Sequence, residues 1–336
     1  MMLSSFILMA LFVFAVSFSV CYWIVTRGKK ILLDHPNDRS LHVTPVPRLG
    51  GVAIVAGVFI GVVLCHFALN AAISVFACAA TVVLLAAALW DDKKGLPPFV
   101  RLVVQCFAAL LLVWGDGLYV DWQILSWLWP VLGVLVLVWS INLFNFMDGM
   151  DGFAGSMACI GFAALAISGV MQGQVEFAML CAIISAACLG FLCFNFPPAR
   201  IFMGDSGSTL LGLAMGGLSV WGWKLKIYPL WMPMVIFSPF WVDATATLLR
   251  RLYRGEKVWL PHRQHYYQRW VLAGYSHRRV VGINIGLMLL CAASVVVQQV
   301  CQWRWLEIGL PLVWFVCYGL IALYSERVLR VRETKG

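Results

Sequence analysis

Long apolar stretches separated by short polar loops set the rhythm of this chain. They fall at roughly 3–26, 50–69, 71–90, 99–115, 126–144, 153–171, 176–195, 207–223, 229–249, 280–299 and 305–324. Each approaches the roughly 20 residues a helix needs to cross the hydrocarbon core. The alternation of a membrane β-barrel is missing. The pattern predicts an all-α, polytopic membrane protein with about 11 transmembrane helices. Residues 1–336 read as one integral-membrane domain, with polar loops at about 27–49, 91–98, 145–152, 196–206 and 250–279.

Composition agrees with the pattern. Of 336 residues, 62% are hydrophobic and 12% charged, and the mean hydropathy is +0.89; a soluble domain holds about 25% charged residues. Of the 24 Lys and Arg, 21 fall in alternate loops and three (Lys224, Lys226 and Arg304) in the others. This asymmetry predicts a periplasmic N-terminus and a cytoplasmic C-terminus. It also accounts for the net charge of +9 without nucleic acid, since the cations face an anionic leaflet. Leu3 to Val25, followed by Arg27, Lys29 and Lys30, reads as an uncleaved first span. Trp122, Trp127, Trp129, Trp303 and Trp305 suit an interfacial belt. Eleven scattered cysteines show no metal or disulfide spacing.

The unusual polar residues gather on the cytoplasmic side. Asn142, Asn145, Asp148 and Asp151 recur every three residues at the end of an apolar run, where unpaired polar groups cost several kcal/mol. Gly149 and Gly152 let the backbone turn or approach a ligand. The stretch reads as a polar site at a helix mouth, or as a turn between spans. Asp91 and Asp92 raise each other's pKa unless cations such as Lys93 and Lys94 compensate, and Arg101 opens the next span. Gly204-Asp205-Ser206-Gly207 lacks the scaffold of a serine-protease triad. It reads instead as a carboxylate for a hard cation, with Gly and Ser N–H groups facing an anion, and with Asp205 or Ser206 as N-cap. His262, Arg263 and His265 lie among arginines suited to a diphosphate. The inventory is that of a phosphorylated soluble substrate meeting a lipid one.

Five ordered blocks carry a resemblance. They are Asp34-x-Pro-Asn-x-Arg-Ser-x-His-x-x-Pro-x-Pro-Arg48-x-Gly-Gly, Asp91-Asp92, Asn142-x-x-Asn145-x-x-Asp148-Gly-x-Asp151-Gly, Asn195 leading to Ile-Phe-Met-Gly204-Asp205-Ser206-Gly-Ser, and Pro-His262-Arg263-x-His265. Over about residues 30–270 the chain resembles the polyprenyl-phosphate N-acetylhexosamine-1-phosphate transferases, a superfamily that includes the muramoyl-pentapeptide enzymes of peptidoglycan synthesis. The last block, with Tyr266 and Tyr267 after His265 in place of a third histidine, is most similar to the branch that initiates O-antigen synthesis.

The resemblance implies transfer of an N-acetylhexosamine 1-phosphate from a UDP-sugar to undecaprenyl phosphate at the cytoplasmic face of a bacterial inner membrane, releasing UMP and feeding lipopolysaccharide or a related envelope glycan. It implies Mg²⁺, with Mn²⁺ as a substitute, held by Asn145 and Asp205, and Asp151 near the uridine. His262, Arg263 and His265 would grip the diphosphate, and Arg48 and Arg101 the lipid phosphate. Asp91, Asp92 and Asp148 complete the catalytic set, with Asp91 and Asp92 as base for the lipid phosphate, as nucleophile toward the diphosphate, or as electrostatic organisers with some proton acceptance. Asn142, Lys94, Gly204 and Ser206 join the substrate-binding residues, with Asn142 and Asp148 also bracing the helix end. A second copy of the chain is a candidate partner. The rival readings are the muramoyl-pentapeptide reaction and a lipid-linked-sugar transporter. Against the transporter, the carboxylates sit at one membrane edge, whereas transporters carry ionisable groups near the midplane.

Overall fold

The computed structural model describes residues 2–27, 32–34, 45–119, 127–257 and 262–333. Lys29, Lys30, the Pro36 to His42 part of the first block, Asp121, Trp122, Pro261 and Lys335 lie outside the described residues. The helices are α1 (Met2–Arg27), α2 (Gly50–Leu69), α3 (Val75–Lys94), α4 (Pro98–Leu110, continued by a π turn at Leu111–Gly115), α5 (Leu128–Phe146), α6 (Phe153–Met171) and α7 (Val175–Asn195). They continue with α8 (Asp205–Lys224), α9 (Trp231–Ile236), α10 (Ser238–Tyr253), α11 (Tyr266–Leu272), α12 (His277–Cys301) and α13 (Arg304–Glu333). Two short strands, β1 (Leu33–Asp34) and β2 (Val46–Pro47), pair antiparallel. The chain is an all-α polytopic membrane protein.

Nine described helices are long and apolar enough to cross a membrane. The expected spans at 207–223 and 229–249 are not among them. The first is a continuous helix, α8, that trades hydropathy for close packing. Cβ atoms at Gly212 and Gly216 would lie 2.7 Å from Ile141 Cα and 2.8 Å from Ser140 Oγ of α5, so these glycines let two helices approach at backbone distance. The second is two helices, since α9 stops at Ile236 and α10 restarts with Pro239 near its N-terminus. The expected span at 71–90 runs instead from Val75 to Lys94, which brings Asp91 and Asp92 into the last turn of α3.

The interior is built from α6, α7 and α8. Buried residues make up 72% of the apolar window of α6 but only 6% of that of α13, which lies at the periphery. α6 packs on α7, α7 on α1 and α2, and α8 on α5 and α3. This arrangement brings the ends of α3 and α5 beside the starts of α4, α6 and α8.

Candidate active site

The centre is the start of α8. The strand-like segment before it is strapped to the approach to α2: Phe202 N–H donates to Pro47 C=O (2.8 Å), and Gly50 and Gly51 N–H donate to Phe202 and Met203 C=O (2.8 and 2.7 Å). This delivers Arg48 to Asp205, at 2.8 Å from Nη2 to Oδ1, and to Asp92, at 3.2 Å from Nε to Oδ1. Asp92 in turn accepts from the backbone N–H groups of Asp205 (3.1 Å) and Ser206 (3.2 Å). A helix start leaves such donors without intrahelical partners and carries partial positive charge. The N-cap position is therefore Gly204 (φ +73), not Asp205 or Ser206, and the capping carboxylate comes from α3. The Ser206 hydroxyl is buried without a hydrogen-bond partner among the described residues, packed toward Gly51.

Asn145 donates its amide to Asp205 Oδ1 (3.1 Å) and to Ser208 Oγ (2.9 Å). A carboxylate only accepts, so the nitrogen must face it, which leaves the Asn145 carbonyl oxygen for a ligand. Asp91 is separately anchored: Leu96 N–H donates to Oδ1 (2.6 Å), and Arg101 Nε lies 2.7 Å from Oδ2. Asp91 is also within hydrogen-bonding reach of the Asp205 carboxylate. Lys94 was expected among these groups, but it is exposed and folds back over the Trp90 ring at 4.8 Å. Arg48 and Arg101 compensate the carboxylates instead, because a guanidinium can reach two acceptors in a fixed plane.

All four residues of the three-residue repeat meet one cavity of about 1110 Å³. Asn142 exchanges amide hydrogen bonds with Gln105 of α4, at 2.6 and 3.3 Å, so it ties α5 to α4 and does not brace the helix end. Asp151 accepts from Ala199 N–H (2.9 Å), and His277 Nδ1 lies 4.0 Å away. A Cβ on Gly149 would overlap the Tyr267 hydroxyl, so the glycine admits α11 against the end of α5.

Burial pushes the Asp148 carboxyl well above the usual carboxylate range. Arg48 opposes this, while Asp205 and Asp92 add to it. A carboxyl raised in the folded state favours folding below its unfolded pKa, and that contribution is lost as pH rises through the folded pKa. Asp148→Asn should therefore gain thermal stability over the wild type as pH rises from about 5 to 9 in detergent. Parallel unfolding curves would contradict this.

The histidine block sits on the opposite wall. The His262 and His265 rings meet tilted by 37°, at 4.9 Å between centroids, and both line the cavity. Burial, then His265 and Arg251, depress the His262 pKa to about 4. It is neutral at pH 7 and offers a phosphate a hydrogen bond, not a charge. Arg263 is exposed and outside the cavity lining. Of the expected residues, Arg48, Asp91, Arg101, Asn142, Asn145, Asp148, Asp151, Gly204, Asp205, His262 and His265 line the cavity, while Asp92, Lys94, Ser206 and Arg263 do not. Gln105 and Gln268 line it without having been anticipated. Gln105, a lone amide inside an apolar run, was the available signal. A smaller cavity of about 380 Å³ at the far end, beside Gln172 and Trp223, holds none of the motif residues.

Among the described residues no three His, Cys, Asp or Glu side chains form a self-sufficient metal cage. Mg²⁺ does not require one, since it commonly takes one or two carboxylates and leaves the rest of its shell to water and substrate phosphates. The Asp91 and Asp205 carboxylates, within hydrogen-bonding reach of each other, repel unless a proton or cation lies between them. With the Asn145 carbonyl beside them, the oxygen donor set fits a hard divalent cation. The cavity changes character along its length: beyond these polar groups, Leu84, Ala88, Leu102, Leu135, Val138 and Trp139 of α3, α4 and α5 form an apolar wall.

The model for Glycosyl transferase family 4 matches residues 73–223. Similar proteins include the probable undecaprenyl-phosphate N-acetylglucosaminyl 1-phosphate transferase of Bacillus subtilis, 30% identical over 84% of this chain and 82% of its own length. The undecaprenyl-phosphate alpha-N-acetylglucosaminyl 1-phosphate transferase of Yersinia pestis is 29% identical over 93% of this chain and 91% of its own length. The decaprenyl-phosphate N-acetylglucosaminephosphotransferase of Mycobacterium leprae is 32% identical over 78% and 76%.

Proposed function

Because the chain belongs to glycosyl transferase family 4, among the polyprenyl-phosphate hexosamine-1-phosphate transferases, we propose that it transfers an N-acetylhexosamine 1-phosphate from a UDP-sugar to undecaprenyl phosphate, releasing UMP. One observation carries the reading: a single cavity joins the Asp91, Asn145, Asp205 and histidine groups to an apolar wall on membrane helices. Such a cavity suits one water-soluble anionic substrate and one lipid phosphate. The 21-to-3 bias of Lys and Arg supports a cytoplasmic site in an inner membrane, with eleven crossings if α8 and the α9–α10 pair are counted. The form of the histidine block favours an O-antigen or lipopolysaccharide role.

A phosphate monoester has a second pKa near 6, so most of the lipid nucleophile is dianionic at neutral pH and needs little deprotonation. The difficulty is bringing it to a diphosphate, which calls for positioning and charge neutralisation. Asp205 and Asn145 would hold Mg²⁺, which when bound neutralises charge on the diphosphate. Arg101, at the junction with the apolar wall, receives the lipid phosphate. Arg48, engaged by Asp92 and Asp205, keeps Asp205 in place. His262 donates a hydrogen bond to the diphosphate, His265 stands beside it in the cavity wall, and Asp151 lies toward the uridine.

The two adjacent carboxylates then have separate duties. Asp91, in the cavity, organises charge near the lipid phosphate and accepts residual protons; Asp92 holds the start of α8. Asp91→Asn should slow single-turnover UMP release by about 10²-fold with unfolding unchanged. Asp92→Asn should cost about 2 kcal/mol of stability by weakening the cap. A trapped phospho-aspartyl enzyme would sink this division of labour. The reaction itself is tested by incubating detergent-purified protein with undecaprenyl phosphate and a panel of UDP-sugars, with and without Mg²⁺. The expected result is UMP and a lipid product with the mass of a diphospho-sugar; lipid translocation without UMP would overturn it.

A further inference from the structure

A carboxylate that belongs to none of the motif blocks stands behind the histidine wall. Asp243 lies within α10, inside a stretch whose apolar character suggested a span. Its side chain is 12% exposed, and donors surround it: Tyr266 N–H (2.9 Å) and Thr247 Oγ1 (3.2 Å) on Oδ1, and Tyr267 N–H (3.2 Å) on Oδ2. The fourth neighbour is His265 Nδ1, at 3.4 Å from Oδ1, on a ring only 3% exposed. That nitrogen has no hydrogen-bond partner among the described residues. The ring is held in plane by stacking on Tyr267, at 5.8 Å and 14°. The backbone N–H of His265 donates to Gln268 Oε1 at 3.3 Å, in a capping box whose other half turns the Gln268 N–H toward the His265 side chain.

We infer that Asp243 is a positioning residue that fixes the protonation pattern of His265. A carboxylate beside Nδ1 favours a proton on that nitrogen, and in the neutral ring Nε2 then carries the lone pair and accepts from a substrate donor. The separation is at the outer edge of hydrogen-bond length, as expected for a site that tightens when substrate binds. Asp243 also fastens α11 to α10, so one carboxylate sets both the place and the tautomer of the ring.

The inference rests on the cavity being the transferase site, and a double-mutant cycle with the full chain separates the two. Asp243→Asn keeps the shape but presents an amide donor or a weaker acceptor to Nδ1. UMP release from UDP-N-acetylglucosamine and undecaprenyl phosphate should fall about 10- to 100-fold in kcat, with KM for the UDP-sugar changed less than about 3-fold. In a His265→Ala background the same substitution should cost less than about 3-fold more, because the partner it acts through is gone. Equal losses in both backgrounds would overturn the inference and leave Asp243 a purely structural residue. Failure of the wild type to release UMP would overturn the functional reading instead. Nitrogen NMR of ¹⁵N-histidine-labelled protein, with the His265 signal identified by its loss in His265→Ala, reads the proton directly. A proton on Nδ1 is expected; its absence from Nδ1 overturns the inference even if Asp243→Asn fails to fold.

Discussion

Asp205→Asn is expected to lower the rate of UMP release by about 10³-fold, the upper range for losing one preorganised electrostatic group. Asp205 is the point where three distant segments converge: Arg48, Asn145 and the adjacent carboxylates Asp91 and Asp92 all reach its side chain or its backbone N–H. The amide keeps the volume and one acceptor, so the fold should survive. The Arg48 ion pair loses its charge on one side but keeps Asp92. The Mg²⁺ concentration for half-maximal rate should rise in parallel with the loss. If the rate fell with an unaltered Mg²⁺ response, Asp205 would act through Arg48 and not as a cation ligand.

Gly51→Ala is expected to be among the most damaging glycine-to-alanine changes at the described residues. A Cβ there would overlap the Gly207 backbone nitrogen and lie 2.5 Å from Gly207 Cα and 2.7 Å from Ser206 Oγ. The obstacle is the backbone of another helix, which no rotamer change relieves. Overpacking of this kind costs about 1–3 kcal/mol or more, and relief requires α8 to retreat from α2. Because Gly51 N–H also donates to Met203 C=O, the same retreat would pull Asp205 away from Arg48. The expected result is a lower midpoint for thermal unfolding in detergent together with a rate loss of at least about 10-fold. A variant with wild-type activity and stability would show that the α2–α8 contact does not hold the site.

Part of this was readable along the chain. Helices that must satisfy their own backbone in hydrocarbon announce themselves by apolar length, so nine spans could be traced from residue order alone. The break between α9 and α10 was masked because a membrane helix tolerates Pro239 in an apolar run, and α8 because its glycines serve contact with α5. The motif residues were recognisable as polar groups that a span would otherwise exclude.

Which of them share a task was not readable. Asp91 and Asp92 are neighbours in sequence, yet Asp91 faces the cavity and Asp92 caps a helix more than a hundred residues away. Lys94 stands beside the carboxylates in sequence, but its side chain turns to Trp90. Asn142 and Asn145 sit one helical turn apart, yet one is spent on Gln105 and the other on Asp205. The sequence alone determined that this is a membrane chain whose carboxylate and histidine blocks fall between its apolar stretches, because apolar periodicity and misplaced charge are local properties. Only the tertiary structure decided which donor meets which acceptor, because hydrogen bonds and ion pairs depend on distances of a few ångströms between helix ends that sequence order leaves open.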